Sequence, residues 1–123
     1  MMRDSRNDGA RPCGGPDATN QIAQLNDQLR RNLRGGQVFI TQGLCALPKG
    51  TLPIILQAVS SYDAFSPDND PHGERDFGLL SIEGRQILWK IDYYDRDMQL
   101  ASPDPADPSL TTRVLTIMLA AEY

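Results

Sequence analysis

Between Phe65 and Gly78 the chain reads FSPDNDPHGERDFG, and this stretch holds Asp68, Asp70, Glu74 and Asp76 together with His72, the only histidine of the chain. Three chemistries are open to such a set. The first is a calcium loop. Asp68, Asp70 and His72 take its first, third and fifth positions and Gly73 its sixth, but the twelfth position, where a bidentate Glu closes such loops, is Leu79. The second is a divalent-metal site for hydrolysis or nuclease chemistry, built from Asp68, Asp70, His72, Glu74 and Asp76. It would need these groups to converge, and there is no second histidine and no cysteine pair to give a zinc spacing. The third is general acid–base catalysis by His72, for which no Ser or Cys nucleophile stands in a recognisable elbow.

A plainer reading of the stretch is turn chemistry, and it is preferred. Ser and Asp side chains accept backbone N–H bonds, Pro67 and Pro71 fix φ, and Gly73 permits positive φ. The stretch is then a proline-braced connection from a helix into a hairpin. No catalytic residue, cofactor or metal is assigned on this reading.

A second acid-rich run follows, with Asp92, Asp95, Asp97, Asp104 and Asp107. The net charge of −4 is unevenly spread: residues 63–123 carry twelve acids against five bases, while residues 19–62 carry one acid against four bases. A broad basic footprint for nucleic acid is missing from the second half. An acidic surface suits a basic protein partner instead. No phosphate-binding loop, dinucleotide fingerprint or helix-turn-helix pattern is present. No apolar run reaches the ~20 residues of a membrane span, and the opening MMRDSRNDGA lacks a secretory apolar stretch. A cytoplasmic protein is expected, with Cys13 and Cys45 unbridged.

These residues need elements to hold them. Residues 1–18, rich in Gly, Pro, Arg and Asp, are expected to be a disordered tail, and 19–123 a single domain. Thr19 opens a helix with Ile22, Leu25, Leu29 and Leu33 on one stripe, Arg30, Arg31 and Arg34 at its solvated end, and Gly35-Gly36 as its stop. QVFITQG is a short strand with Val38 and Ile40 on one face. Thr51 caps a second helix, with Pro53 in its first turn and Ile55, Val59 and Tyr62 as its stripe.

FGLLSIEGRQILWKIDYY is a hairpin turning at Glu83-Gly84. That turn sets Leu80 opposite Ile87, Gly78 opposite Trp89 and Arg75 opposite Asp92, the last two as a cross-strand ion pair. Leu80, Ile82, Ile87, Trp89, Ile91 and Tyr93 face the core, and Gly78 leaves room for the indole. The opposite face, with Phe77, Leu79, Leu88, Lys90 and Asp92, is half apolar and fit for a helix, a partner or a second copy of the chain. Ser109 is expected to cap a last helix over LTTRVLTIMLAAEY, with Leu110, Val114, Ile117 and Met118 buried. The order is α-β-α-β-β-α, an α+β domain with a small, mostly antiparallel sheet and packed helices.

Three stretches together, IAQLNDQLRR, DNDPHGERDFG with WKIDYYD, and SPDPADPSLTTRVLTIMLAAEY, resemble a family of small bacterial proteins catalogued as a domain of unknown function. The resemblance runs from Gln21 to Tyr123. It carries no enzyme mechanism, so no residue inherits a role from it. It implies a small protein of mobile elements, among which acidic anti-defence factors are common. By analogy, the expected activity is non-enzymatic: blocking a basic, nucleic-acid-binding surface of a CRISPR or restriction nuclease complex, with Asp92, Asp95, Asp97, Asp104 and Asp107 imitating phosphates. No direct nucleic-acid or membrane contact is expected.

Overall fold

The computed structural model describes residues 16–123. Most of the expected 1–18 tail lies outside the described residues. Helix α1 runs Pro16–Asn32, three residues ahead of the expected start. Strand β1 (Gly36–Ile40), the short helix α2 (Gln42–Cys45) and helix α3 (Thr51–Ser60) follow. Strands β2 (Phe77–Ile82), β3 (Arg85–Tyr94) and β4 (Thr112–Leu119) complete the sheet, and a 3₁₀ turn at Ala120–Glu122 ends the chain. The sheet order is β1-β4-β3-β2, antiparallel except for the parallel β1–β4 pair. This is a small α+β fold.

The hairpin has the register its turn dictates: Leu80 lies opposite Ile87 and Gly78 opposite Trp89. Glu83 and Gly84 both take positive φ, at 51° and 81°, as a two-residue turn of this twist requires. Gly78 is obligatory, because a Cβ there would stand 2.2 Å from Trp89 Nε1.

The last element departs from expectation. Residues 112–119 form no helix; they are β4, the inner strand between β1 and β3. A strand buried on both faces is apolar almost throughout, so its run also satisfies a helical stripe. The β-branched Thr112, Val114, Thr116 and Ile117 favour the extended form, and β1 and β3 supply the ladders that stabilise it. Ser109 therefore caps nothing helical; its N–H and hydroxyl both donate to Asp107 Oδ1, at 2.9 and 2.6 Å.

Alternation along the strands gives the sheet two faces. On one, register rows read Gly36–Arg113–Tyr93, Val38–Leu115–Ile91 and Ile40–Ile117–Trp89–Gly78. The buried residues of the helices, Leu29, Leu44, Ile55 and Val59, join this face in one cluster with Trp89, Ile91, Leu115 and Ile117. On the other face the rows read Gln37–Val114–Asp92, Phe39–Thr116–Lys90–Phe77 and Met118–Leu88–Leu79. Leu88, Val114 and Met118 of this face are also buried, yet belong to neither core cluster. The buried residues of the helices thus gather on the first face.

Candidate functional site

Two arginines anchor the interior. Arg30 lies on the buried face of α1 with a fully buried side chain. It donates to two carbonyls at the end of α3, Val59 (2.9 Å), which also accepts the Tyr62 N–H, and Ser60 (3.1 Å), and to Asp27. Its guanidinium stacks 5.1 Å from the Trp89 ring centroid and 5.5 Å from that of Phe65. Arg113 of β4 donates to Asn26 Oδ1 (2.9 Å) and to the Pro105 carbonyl, over the Tyr93 ring at 5.2 Å. Burial lowers the pKa of both arginines from the ordinary value; Asp27 opposes this at Arg30, and Tyr93 and Glu74 oppose it at Arg113.

From Asn26 the network reaches the acidic loop. Asn26 Nδ2 donates to the Glu74 carbonyl and to the Tyr93 hydroxyl, which donates to Glu74 Oε1 at 2.8 Å. Burial, first of all, raises the Tyr93 pKa from its ordinary value, so the hydroxyl keeps its proton and remains a donor.

The five residues weighed for metal chemistry are spent separately. Asp70 accepts the Arg75 backbone N–H with both carboxylate oxygens, at 3.1 and 3.3 Å, and holds Arg75 at φ 56°. Glu74 is bound to Tyr93. Asp76 is half-buried, and burial raises its pKa; its carbonyl accepts the Ile91 N–H at 2.8 Å, prolonging the hairpin ladder by one bond. Asp68 and His72 are exposed at the turns. Among the described residues no three His, Cys, Asp or Glu side chains are grouped closely enough to hold a metal ion. Ser66 and Asn69 exchange backbone and side-chain bonds, as the turn reading expects.

The expected Arg75–Asp92 ion pair does not form. Arg75 turns to Asp27 and Asp92 pairs with Lys90. The positive φ at Arg75 breaks the strand before the register could bring Arg75 to Asp92.

The second acidic set has a different character. Asp95, Asp104 and Asp107 close tight turns by accepting N–H bonds from Gln99, Ala106 and Ser109, at 3.0, 3.1 and 2.9 Å. Asp97 is exposed. Among the described residues none of these four forms an ion pair with a lysine or arginine, while Asp92 does. The Ser109 hydroxyl and N–H hold the surface carboxyl of Asp107 below its ordinary pKa. Arg113, one of the five bases of this half, is buried, so the surface around the run is more acidic than the sequence count.

Two clefts flank Arg31. One, of about 310 Å³, is lined by Arg31, Asp63, Phe65 and Arg75. The other, of about 340 Å³, lies between α1 and α3 over Leu115 and Ile117. Neither holds a nucleophile beside a base.

Asn26 carries no expectation from the sequence, and Arg30, expected at a solvated helix end, is instead buried. Their signal is positional: Ile22, Asn26, Leu29 and Arg30 share one helical face, and an apolar stripe skips its polar members.

Among the described residues no helix is long and apolar enough to cross a membrane. Cys45 is a free, exposed thiol, and Cys13 lies outside the described residues. No curated protein and no solved structure matches the chain. A family model does, over residues 40–122. The chain belongs to the family described as protein of unknown function (DUF3768). The match begins at Ile40, the last residue of β1, so the IAQLNDQLRR stretch of α1 lies outside it.

Proposed function

We propose that this chain is a non-enzymatic binding protein whose acid-rich segment, from Asp92 to Asp107, covers a basic surface of a protein partner. The observation that carries this reading is the contrast between the two acidic sets. Asp70, Glu74 and Asp76 are tied into the fold. Among the described residues Asp95, Asp97, Asp104 and Asp107 form no ion pair, and three of them are held in place by turns. Fixed, unneutralised carboxylates are complementary to a fixed basic patch, and they speed encounter with it at low ionic strength.

The partner class that fits is a protein whose basic surface otherwise takes nucleic acid. The finer proposal is a CRISPR or restriction nuclease complex of a bacterial defence system, which this chain would inhibit by occupying the nucleic-acid channel. The test is an interference assay in cells expressing the chain, beside purification of whatever co-purifies with it. Loss of interference, reversed by changing Asp95, Asp97, Asp104 and Asp107 to Lys together, supports the reading. Full interference across the common restriction and CRISPR types overturns the finer proposal. Unchanged partner capture by the charge-reversed variant overturns the role of the carboxylates.

A further inference from the structure

The cleft between α1 and α3, about 340 Å³ in volume, falls in the size range of small-ligand sites. Its floor is core: Val59, Leu115 and Ile117 are closed to solvent. Its walls are open. Leu33, Pro53 and Gln57 are exposed and Leu56 is half-buried. The exposed Arg31 lines this cleft and the neighbouring one, so its side chain stands where the two adjoin.

Leu33 is the wall residue that the fold itself does not explain. It follows the last residue of α1, donates its N–H to the Leu29 carbonyl at 2.9 Å and takes φ 57°. This left-handed closing position ordinarily takes Gly or Asn, and a large side chain there is strained. Burial does not offset the strain, because Leu33 is 59% exposed. The chain thus keeps an apolar group at a strained position where it adds to the wall of the cleft.

Charge indicates what an occupant carries besides apolar surface. Asp27 pairs with both Arg30 and Arg75. Among the described residues Arg31 forms no ion pair. Beyond the effect of burial, and against that of Asp27, Arg31 and Arg75 also lower the pKa of Arg30, so the three guanidiniums feel one another. An apolar cleft therefore adjoins an unneutralised guanidinium, whose fork matches a carboxylate. Asp63, in the cleft on the other side of Arg31, disfavours a doubly charged head group such as phosphate.

We propose that this cleft binds a small aliphatic carboxylate, with its alkyl chain between α1 and α3 and its carboxylate on Arg31. The site uses no residue of the 92–107 segment, so it stands or falls apart from the binding reading.

Titration calorimetry of the full chain with octanoate tests this. Saturable binding of one octanoate per chain is expected. Hexanoate should bind roughly fifteenfold more weakly, at about 0.8 kcal/mol for each CH₂ left out of the cleft. Octylamine, with the same chain and the opposite charge, should not bind. Arg31→Gln should reduce octanoate binding to the level of 1-octanol and leave 1-octanol unchanged, which separates the head-group contact from the chain contact. Leu33→Gly should melt no lower than the native chain, because Gly accepts φ 57° without strain, yet should bind octanoate several-fold more weakly. No saturable octanoate binding at millimolar concentration overturns the proposal. So does equal binding of octylamine, or octanoate affinity unchanged in both Arg31→Gln and Leu33→Gly.

Discussion

Replacing Gly78 by alanine adds one methyl group at the tightest point of the core. Its carbon would lie 2.2, 2.5 and 2.8 Å from Nε1, Cε2 and Cζ2 of Trp89. Ordinary contact between such atoms is about 3.5–4.0 Å, so the indole or the strand must move by roughly 1.3 Å or more. The indole has nowhere to go. It is fully buried, with Tyr62 and Phe65 edge-on at 5.6 and 6.1 Å and the Arg30 guanidinium at 5.1 Å. Interiors packed this way absorb little volume. Overpacking of this kind costs about 1–3 kcal/mol, which for a domain near 100 residues is a fall in Tm of roughly 5–20 °C. Thermal unfolding by circular dichroism measures the fall. Fluorescence locates it, because Trp89 is the only tryptophan in the chain. Adding Trp89→Phe should recover part of the loss, since the smaller ring vacates the space the methyl group enters. A Gly78→Ala variant with native Tm and native emission would refute the packing described for the hairpin and the aromatic cluster.

Arg113→Met should lower unfolding stability by about 1–3 kcal/mol in urea, because Asn26 Oδ1 and the Pro105 carbonyl lose their buried donor. The m-value should be unchanged. Glu122 accepts from the Thr41 hydroxyl and from the N–H groups of Gly43 and Leu119, and the Thr41 bond, first of all, lowers its pKa. A depressed folded pKa contributes stability above the ordinary Glu range that is lost as pH falls through the folded value. Glu122→Gln should therefore flatten the acid limb of the stability curve below about pH 4.5. Asp76 has the opposite sign: burial raises its pKa, so its ionised form opposes folding above the raised value. Asp76→Asn should raise Tm at neutral pH and leave it unchanged near pH 3, where both states are protonated.

The hairpin was legible because a two-residue turn sets its register and Gly78 opposite Trp89 has one physical reason. The edge strand Gly36–Ile40 and helices α1 and α3 were legible from periodicity, with Val38 and Ile40 facing the core as expected; the short α2 was not, because it takes up Gln42 and Gly43 of the expected strand QVFITQG. Strand β4 was not legible. Its near-continuous apolar run fits two periods, and its pairing with β3 and with β1, the latter seventy-odd residues earlier in the chain, decides between them. Of the candidate site, the turn role of Ser66, Asn69 and Asp70 follows from residue type. The Asn26–Arg113–Tyr93–Glu74 network does not, because it joins four separate segments through side chains whose types favour the surface. The Arg75–Asp92 pair failed for a local reason: Asp70 binds the Arg75 N–H and turns the backbone before the ladder reaches it.

The central claim is that the unneutralised carboxylates of the 92–107 segment bind a basic partner. It is tested most directly by capturing partners from a host with intact nuclease defence systems, using the native chain and the variant with Asp95, Asp97, Asp104 and Asp107 changed to Lys. The expected result is a stoichiometric nucleic-acid-binding protein retained by the native chain, released by added salt and lost in the variant. Equal retention by both chains, or retention insensitive to salt, would contradict the account.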